Sequence, residues 1–437
     1  MQSLSPLDGR YQSKTGALRP FFSEEALVRS RVLVEIRYFQ ALAEHPRIRD
    51  LPKLTAAQQK ALERLLERFS PGEAKKVKLI EKTTNHDVKA VEYYLKGKIG
   101  SIPGLQKRTE FIHFGLTSED VNNLAYGLMV RGALREIIRP ELRRLIRSLS
   151  GLAKRWSAIE LLSLTHGQPA TPTTVGKELQ VFVDRLVRQE QQLRTFKMQG
   201  KFGGAVANYA AHRAAYPEVQ WELLGQKFVR SLGMEPLKHT TQINPHDDIA
   251  ELSHILFRIN TILLSFSRDM WLYISRGVFQ QRVVAGEVGS STMPHKVNPI
   301  DFENAEGNFG LGNALFHHFA EKLPISRLQR DLSDSTVQRN IGVAFGYHLL
   351  AISSLQKGLS KISVNRKVVS RELAEHPEVL AEAIQMVLRK NGVQGAYEKL
   401  KKLTRGEHVT RADIRNFIES LTLPKSEKER LQKICKL

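Results

Sequence analysis

From Asp247 to Arg276 the chain runs without a single Gly or Pro, and its apolar residues fall at Ile249, Leu252, Ile255, Leu256, Ile259, Leu263, Phe266 and Met270. That spacing is the one-face period of an α-helix. A helix over this span is roughly 45 Å long at about 1.5 Å per residue. Such a helix gains little stability alone and must lay its stripe against other helices. Residues 119–139, 178–199 and 343–362 carry the same pattern, whereas strand-like alternation is scarce. The expected fold is therefore all-α, with a long central helical bundle.

Three helical domains are expected. Residues 1–110 hold shorter helices and Pro/Gly breaks, ending near Gly100-Ser-Ile-Pro-Gly104. Residues 111–362 hold the long helices, and 363–437 return to shorter, Lys/Arg-rich ones. A chain of 437 residues is long enough for a substantial core. No run of eighteen apolar residues occurs, so no membrane span is expected. The N-terminal residues lack the charged and apolar blocks of a secretory signal. Cys435 is the single cysteine, which excludes an intramolecular disulfide and favours a reducing, cytoplasmic setting.

The formal charge is +21, from 66 Lys and Arg against 45 Asp and Glu. A balance this basic suits anionic ligands. The cations are spread along the chain, and clusters such as Arg143, Arg144 and Arg147 read as solvated helix faces. No zinc-finger spacing, RNA-recognition signature or basic zipper is present, so nucleic acid is not an expected partner. His317 and His318 are adjacent and point to different sides of a helix. With no His-Glu-x-x-His, paired-cysteine, Gly-x-Gly-x-x-Gly or Walker-type pattern, neither a metal nor a nucleotide cofactor is expected.

Five segments carry candidate chemistry. Gly289-Ser-Ser-Thr-Met-Pro-His-Lys-Val-Asn-Pro299 packs hydroxyls, a cation and an amide between two prolines that forbid regular structure. Ser290, Lys296 and Asn298 can converge there on a carboxylate or enolate, with Gly289 supplying conformational freedom; a solvated turn is the plain alternative. Thr165-His-Gly-Gln-Pro-Ala-Thr-Pro172 reads as a loop between two helical stretches, exposing His166 for proton transfer or holding it as a cap. In Thr83–Lys89, Asp87 beside His86 suits an imidazole held in one tautomer, or Asn85 and Asp87 only cap the next helix. Thr117-Ser-Glu-Asp120 is a helix-start signature whose free amides also suit an anion. Arg327 to Arg339 is rich in fork-shaped anion binders.

Taken together, these segments resemble the fumarase/aspartase superfamily, and within it the bacterial type of the adenylosuccinate lyase family. Residues 289–299 resemble the superfamily signature, and His295 is typical of this branch. Thr83–Tyr93, Thr165–Pro172 and Asp8-Gly-Arg-Tyr11 narrow the choice, and the likeness covers nearly the whole chain. The resemblance implies cofactor-free β-elimination of fumarate from anionic nucleotides. It also implies a homotetramer whose active sites are shared between subunits. Ser290 is then the general base and His166 the general acid. Lys296 and Asn298 hold the succinyl carboxylates with Thr117 and Ser118, and Ser291 and Asn85 also bind substrate. His86 and Asp87 support the acid side; Arg10, Tyr11, Arg330, Ser335 and Arg339 take the phosphate and ribose, and Gln242 meets the substrate near the reacting nitrogen. Two other readings compete. One is a basic helical nucleic-acid-binding protein with degenerate loops, which intact Ser290, His166 and Lys296 disfavour. The other is a sister enzyme, a carboxymuconate-type cycloisomerase or argininosuccinate lyase, which residues 83–93 disfavour.

Overall fold

The computed structural model describes residues 3–286, 289, 291–406 and 409–434. Packing gathers them into two compact units. The first comprises Met1–Leu145, Leu186–Ser265 and Asn304–Leu355; the second comprises Ile146–Arg185, Phe266–Glu303 and Gln356–Leu437. Helices dominate, as the periodicity predicts.

In chain order, the helices that matter here begin with α1 (Glu24–Glu44), capped by Ser23, whose Oγ accepts the amide of Ala26 at 3.2 Å. α2 (Asp87–Gly100) and α3 (Ser118–Ala133) follow. The sequence predicts one helix through residue 139, but α3 instead passes through a π turn at Leu134–Ile138 into α4 (Arg139–Arg155). Pro140 has no amide to give the carbonyl of Glu136, so the α pattern cannot continue through this point. Next come α5 (Val175–Thr195), α6 (Asp247–Ser275), α7 (Ile300–Lys322), the short α8 (Ser333–Gln338) and α9 (Ile341–Leu359).

All eight apolar positions of the α6 stripe are buried. Fully burying one such side chain contributes roughly 1.5–3 kcal/mol, which explains how a 29-residue helix holds together. The helix has the length and hydropathy of a membrane span, but its buried stripe belongs to a protein core. Trp271 and Leu272 on the same helix stay 41% and 53% exposed.

The first unit centres on an aromatic cluster. Tyr38 of α1 packs on Phe202 at 5.2 Å between ring centroids, and His212 packs on Trp221 at 4.7 Å. In the second unit the Thr165–Pro172 segment is a strand pair where the sequence predicts a loop. β1 (Glu160–Thr165) runs antiparallel to β2 (Gln168–Thr174). Two-residue hairpins need left-handed backbone at the corner, and His166 and Gly167 supply it with φ of 53° and 75°. Both strands of a two-stranded ribbon are edges, where Pro169 and Pro172 can sit without leaving a gap in a ladder. β3 (Phe279–Gln281) pairs antiparallel with β4 (Ile362–Val364). The C-terminal helices enclose a small core of their own around Ile384, Leu388, Leu400, Ile414, Ile418 and Leu431.

Candidate active site

A cleft of about 400 Å³ opens in the first unit among the starts of α2 and α3, α1 and the segment around α8. Asn85, His86, Asp87, Ser118, Arg330, Ser335 and Arg339, seven of the expected site residues, line it. Each is placed by a local cause. Asn85 ends the preceding helix in left-handed backbone, φ 47°, a role asparagine tolerates. His86 is the N-cap of α2: its Nδ1 accepts the amide of Lys89 at 3.1 Å. A ring nitrogen that accepts cannot carry a proton, so the proton of the neutral ring sits on Nε2. Nε2 lies 3.5 Å from the Ser118 hydroxyl.

Asp87 does not set that tautomer. Its carboxylate stands 3.9 Å from His86 Nδ1 and turns instead to Arg31, at 2.7 Å, and Arg339, at 3.3 Å. Burial pushes the Asp87 carboxyl up, but the Arg31 guanidinium outweighs it and holds the group below the usual carboxylate range. Arg31 is locked in turn by Asn122, which accepts from its Nε at 2.8 Å.

Thr117 caps α3, and its amide donates to Asp120 at 2.9 Å. Asp120 also accepts from Lys201 Nζ at 2.7 Å and from the amides of Gly203 and Gly204 at 2.9 Å each. Lys201 and Asp120 are fully buried. Arg330 reaches Ser335 Oγ at 3.3 Å and Gln242 Oε1 at 3.4 Å, while Gln242 is tethered to the carbonyl of Ala205 at 2.8 Å. Two guanidinium groups, a hydroxyl and the helix starts thus face one space, a layout that can hold a phosphate. Arg10 and Tyr11 are not among the residues lining this cleft. The Arg10 guanidinium lies 5.8 Å over the Tyr11 ring, whose hydroxyl accepts from Asn304 at 3.3 Å.

Against the cleft, one carboxylate oxygen each of Glu119 and Asp334 and a ring nitrogen of His246 all lie within 4.8 Å of one another, and all three residues are buried. Asp334 Oδ2 is 3.7 Å from His246 Nε2, and Gln338 Nε2 is 3.0 Å from the same nitrogen. His246 starts α6 in left-handed backbone, φ 58°, and its carbonyl accepts the amide of Ala250 at 3.0 Å. The two acids titrate in opposite senses. Burial pushes Glu119 up to about 7, with the Asp334 charge adding and His246 opposing. Burial also acts on Asp334, but His246, the Ser335 amide and Arg330 hold it below the usual range.

The second unit carries the remaining candidates. His166 is exposed at the hairpin corner. Ser291 and Lys296 are exposed in the loop before α7, and Asn298 is half-buried, donating to the carbonyl of Gly289 at 2.7 Å. Glycine is needed at 289 for close approach, since a Cβ there would overlap the carbonyl of Lys296. Ser290, the expected base, lies outside the described residues.

Residues 9–311 match the family model described as lyase, and 326–436 match that of the adenylosuccinate lyase C-terminal region. An adenylosuccinate lyase of Legionella pneumophila (strain Corby) is 53% identical over 434 residues, spanning 99% of this chain and 95% of that one. That of Escherichia coli (strain K12) is 52% identical over 432 residues, with the same coverage. The chain belongs to the adenylosuccinate lyase family. Within the wider fumarase/aspartase superfamily, the crystal structure of 3-carboxy-cis,cis-muconate lactonizing enzyme from Pseudomonas putida superposes with a TM-score of 0.75. It covers 96% of this chain and 93% of its own at 22% identity, a likeness of fold alone.

Arg31 and Glu119 are among the cleft residues that the sequence does not single out. Arg31 sits in mid-helix with nothing in its neighbours to mark it. Glu119 reads as one more acid in a helix's first turn; only burial and the approach of His246 and Asp334 set it apart.

Proposed function

We propose that this protein is a fumarate-releasing carbon–nitrogen lyase that cleaves adenylosuccinate to AMP and fumarate. The succinyl-aminoimidazole carboxamide ribotide is its second substrate, and both reactions belong to purine nucleotide biosynthesis. The observation that carries this reading is 53% identity across 99% of the chain to a protein of that name. The shared chemistry is β-elimination. Ser290 removes the proton next to the carboxylate, and the electron pair is held as an aci-carboxylate by the cation of Lys296 and the amide of Asn298. The pair then forms the fumarate double bond as the C–N bond breaks, and His166 protonates the leaving nitrogen.

Support for the nucleotide end is the pairing of Arg330 with Ser335 and the place of Arg339 in the same cleft. Arg10 and Tyr11 are proposed for the same end, and Thr117, Ser118 and Ser291 for the succinyl carboxylates. Gln242, tied to Arg330, suits the purine side. His86, with its Nε2 proton free of the cap, supports the acid. We further propose three domains bounded near residues 110 and 362, a cytoplasmic location, and a homotetramer with shared sites. Exposed Trp271, Leu272 and Leu311 suit burial against further copies.

The first test is ultraviolet-monitored turnover of adenylosuccinate, with AMP and fumarate confirmed by chromatography. Release of one AMP per fumarate is expected; a folded protein that leaves adenylosuccinate intact overturns the reading. Ser290→Ala and His166→Gln should each abolish turnover, and mixing the two under subunit exchange should restore part of it. No recovery after proven exchange removes the shared site.

A further inference from the structure

Buried polar groups are normally paired, yet Glu119 Oε1 and Asp334 Oδ2 are buried without a hydrogen-bond partner among the described residues. They are the acids of the triad with His246, and Glu119, only 1% exposed, lines the cleft that Arg330 and Ser335 share. We infer that binding of an anion in this cleft is coupled to uptake of a proton by Glu119, with His246 and Asp334 as the partners that share it. This rests on the reading of the cleft as the phosphate end of the site.

The argument is one of charge. Two carboxyls and one imidazole in a buried space cannot all take their usual forms. Asp334 has the Ser335 amide at 2.6 Å on its other oxygen and keeps the negative charge. Glu119 Oε1 has no such donor among the described residues. Its fixed neighbours are His246, Asp334, Arg330 and Lys201; Tyr126 lies in its field, and Asp248 faces His246. Arg330 and Lys201 both favour the ionised form of Glu119, but Lys201 is already spent on Asp120. Of these two cations, Arg330 is the one that lines the cleft. A phosphate seated on Arg330 brings a negative field that offsets that support. This pushes the proton onto Glu119.

The coupling is read by calorimetric titration of the wild-type protein with AMP at pH 8, in two buffers of different ionisation enthalpy. At that pH the AMP phosphate is already largely a dianion, so proton exchange comes from the protein. About 0.4–0.8 proton should be taken up per AMP, and affinity should fall about four- to tenfold from pH 7 to pH 8.5. In Glu119→Gln the uptake should vanish and the pH dependence flatten. AMP binding without proton exchange in the wild type overturns the inference while leaving the nucleotide site standing. Uptake that persists in a folded Glu119→Gln protein also overturns it, by assigning the proton elsewhere. If AMP does not bind at all, the nucleotide reading fails and this inference falls with it. The wild-type proton count stands on its own should the variant not fold.

Discussion

Asp120 accepts four hydrogen bonds, from Lys201, Thr117, Gly203 and Gly204, and thereby ties the first turn of α3 to a glycine turn distant in the chain. The buried ammonium of Lys201 is what makes a buried carboxylate tolerable. Lys201→Met should therefore destabilise the chain by about 3–5 kcal/mol, because it strands a buried charge. Denaturant unfolding measures this, and an unchanged midpoint would show the pair to be dispensable. The sequence announces half of the arrangement. Asp120 stands at a capping position that anyone can recognise, but Lys201 is 81 residues away and looks like any other lysine. His86 is similar. Its place before a helix is legible, whereas the use of Nδ1 as the cap, which decides where the proton sits, is a fact of geometry.

Among elements, the hairpin is where local reading and structure part. Gly167 and the two prolines speak for a loop, and only the pairing of Thr165 with Gln168 shows that the flanks are strands. Long helices such as α6 are legible because burial imposes a period on many residues at once. A two-residue corner imposes nothing periodic. Its requirement is left-handed backbone at His166 and Gly167. Gly167→Ala meets open space, so its effect is purely conformational, costing about 1 kcal/mol. Displacing His166 should lower kcat by about ten- to a hundredfold while KM stays near wild type. Steady-state kinetics on adenylosuccinate decide this; an unchanged kcat would detach the corner from catalysis.

The whole molecule carries a strong acid sensitivity in two buried histidines. Burial lowers His212 to about 4, with Lys201 and Arg213 adding, and burial alone lowers His348 to about 4. Both are neutral when folded and take a proton readily when unfolded. Their contribution is complete above the unfolded value of about 6.5 and is lost as the pH falls toward 4. It amounts to roughly 3 kcal/mol for each histidine. His113 acts in the opposite sense. Burial presses it down, but Glu35 at 2.5 Å outweighs burial and raises it. Its contribution is present in acid and fades as the pH rises through the raised value. The thermal midpoint should thus drop steeply between pH 6.5 and 4, and a flat profile there would show that the buried rings are not neutral. At this scale the helical class is written in the periodicity of the chain. The two compact units are not, because each is assembled from three separated stretches.

The indole of Trp271 offers an optical consequence. Trp221 is sealed and Trp156 nearly so, at 0% and 7% exposure, against 41% for Trp271. Iodide quenching of the intrinsic fluorescence should accordingly read mainly this indole. If further copies cover that face of α6, dilution below the assembly threshold will make the emission more quenchable. Emission that quenches equally at every dilution would place the subunit contacts elsewhere.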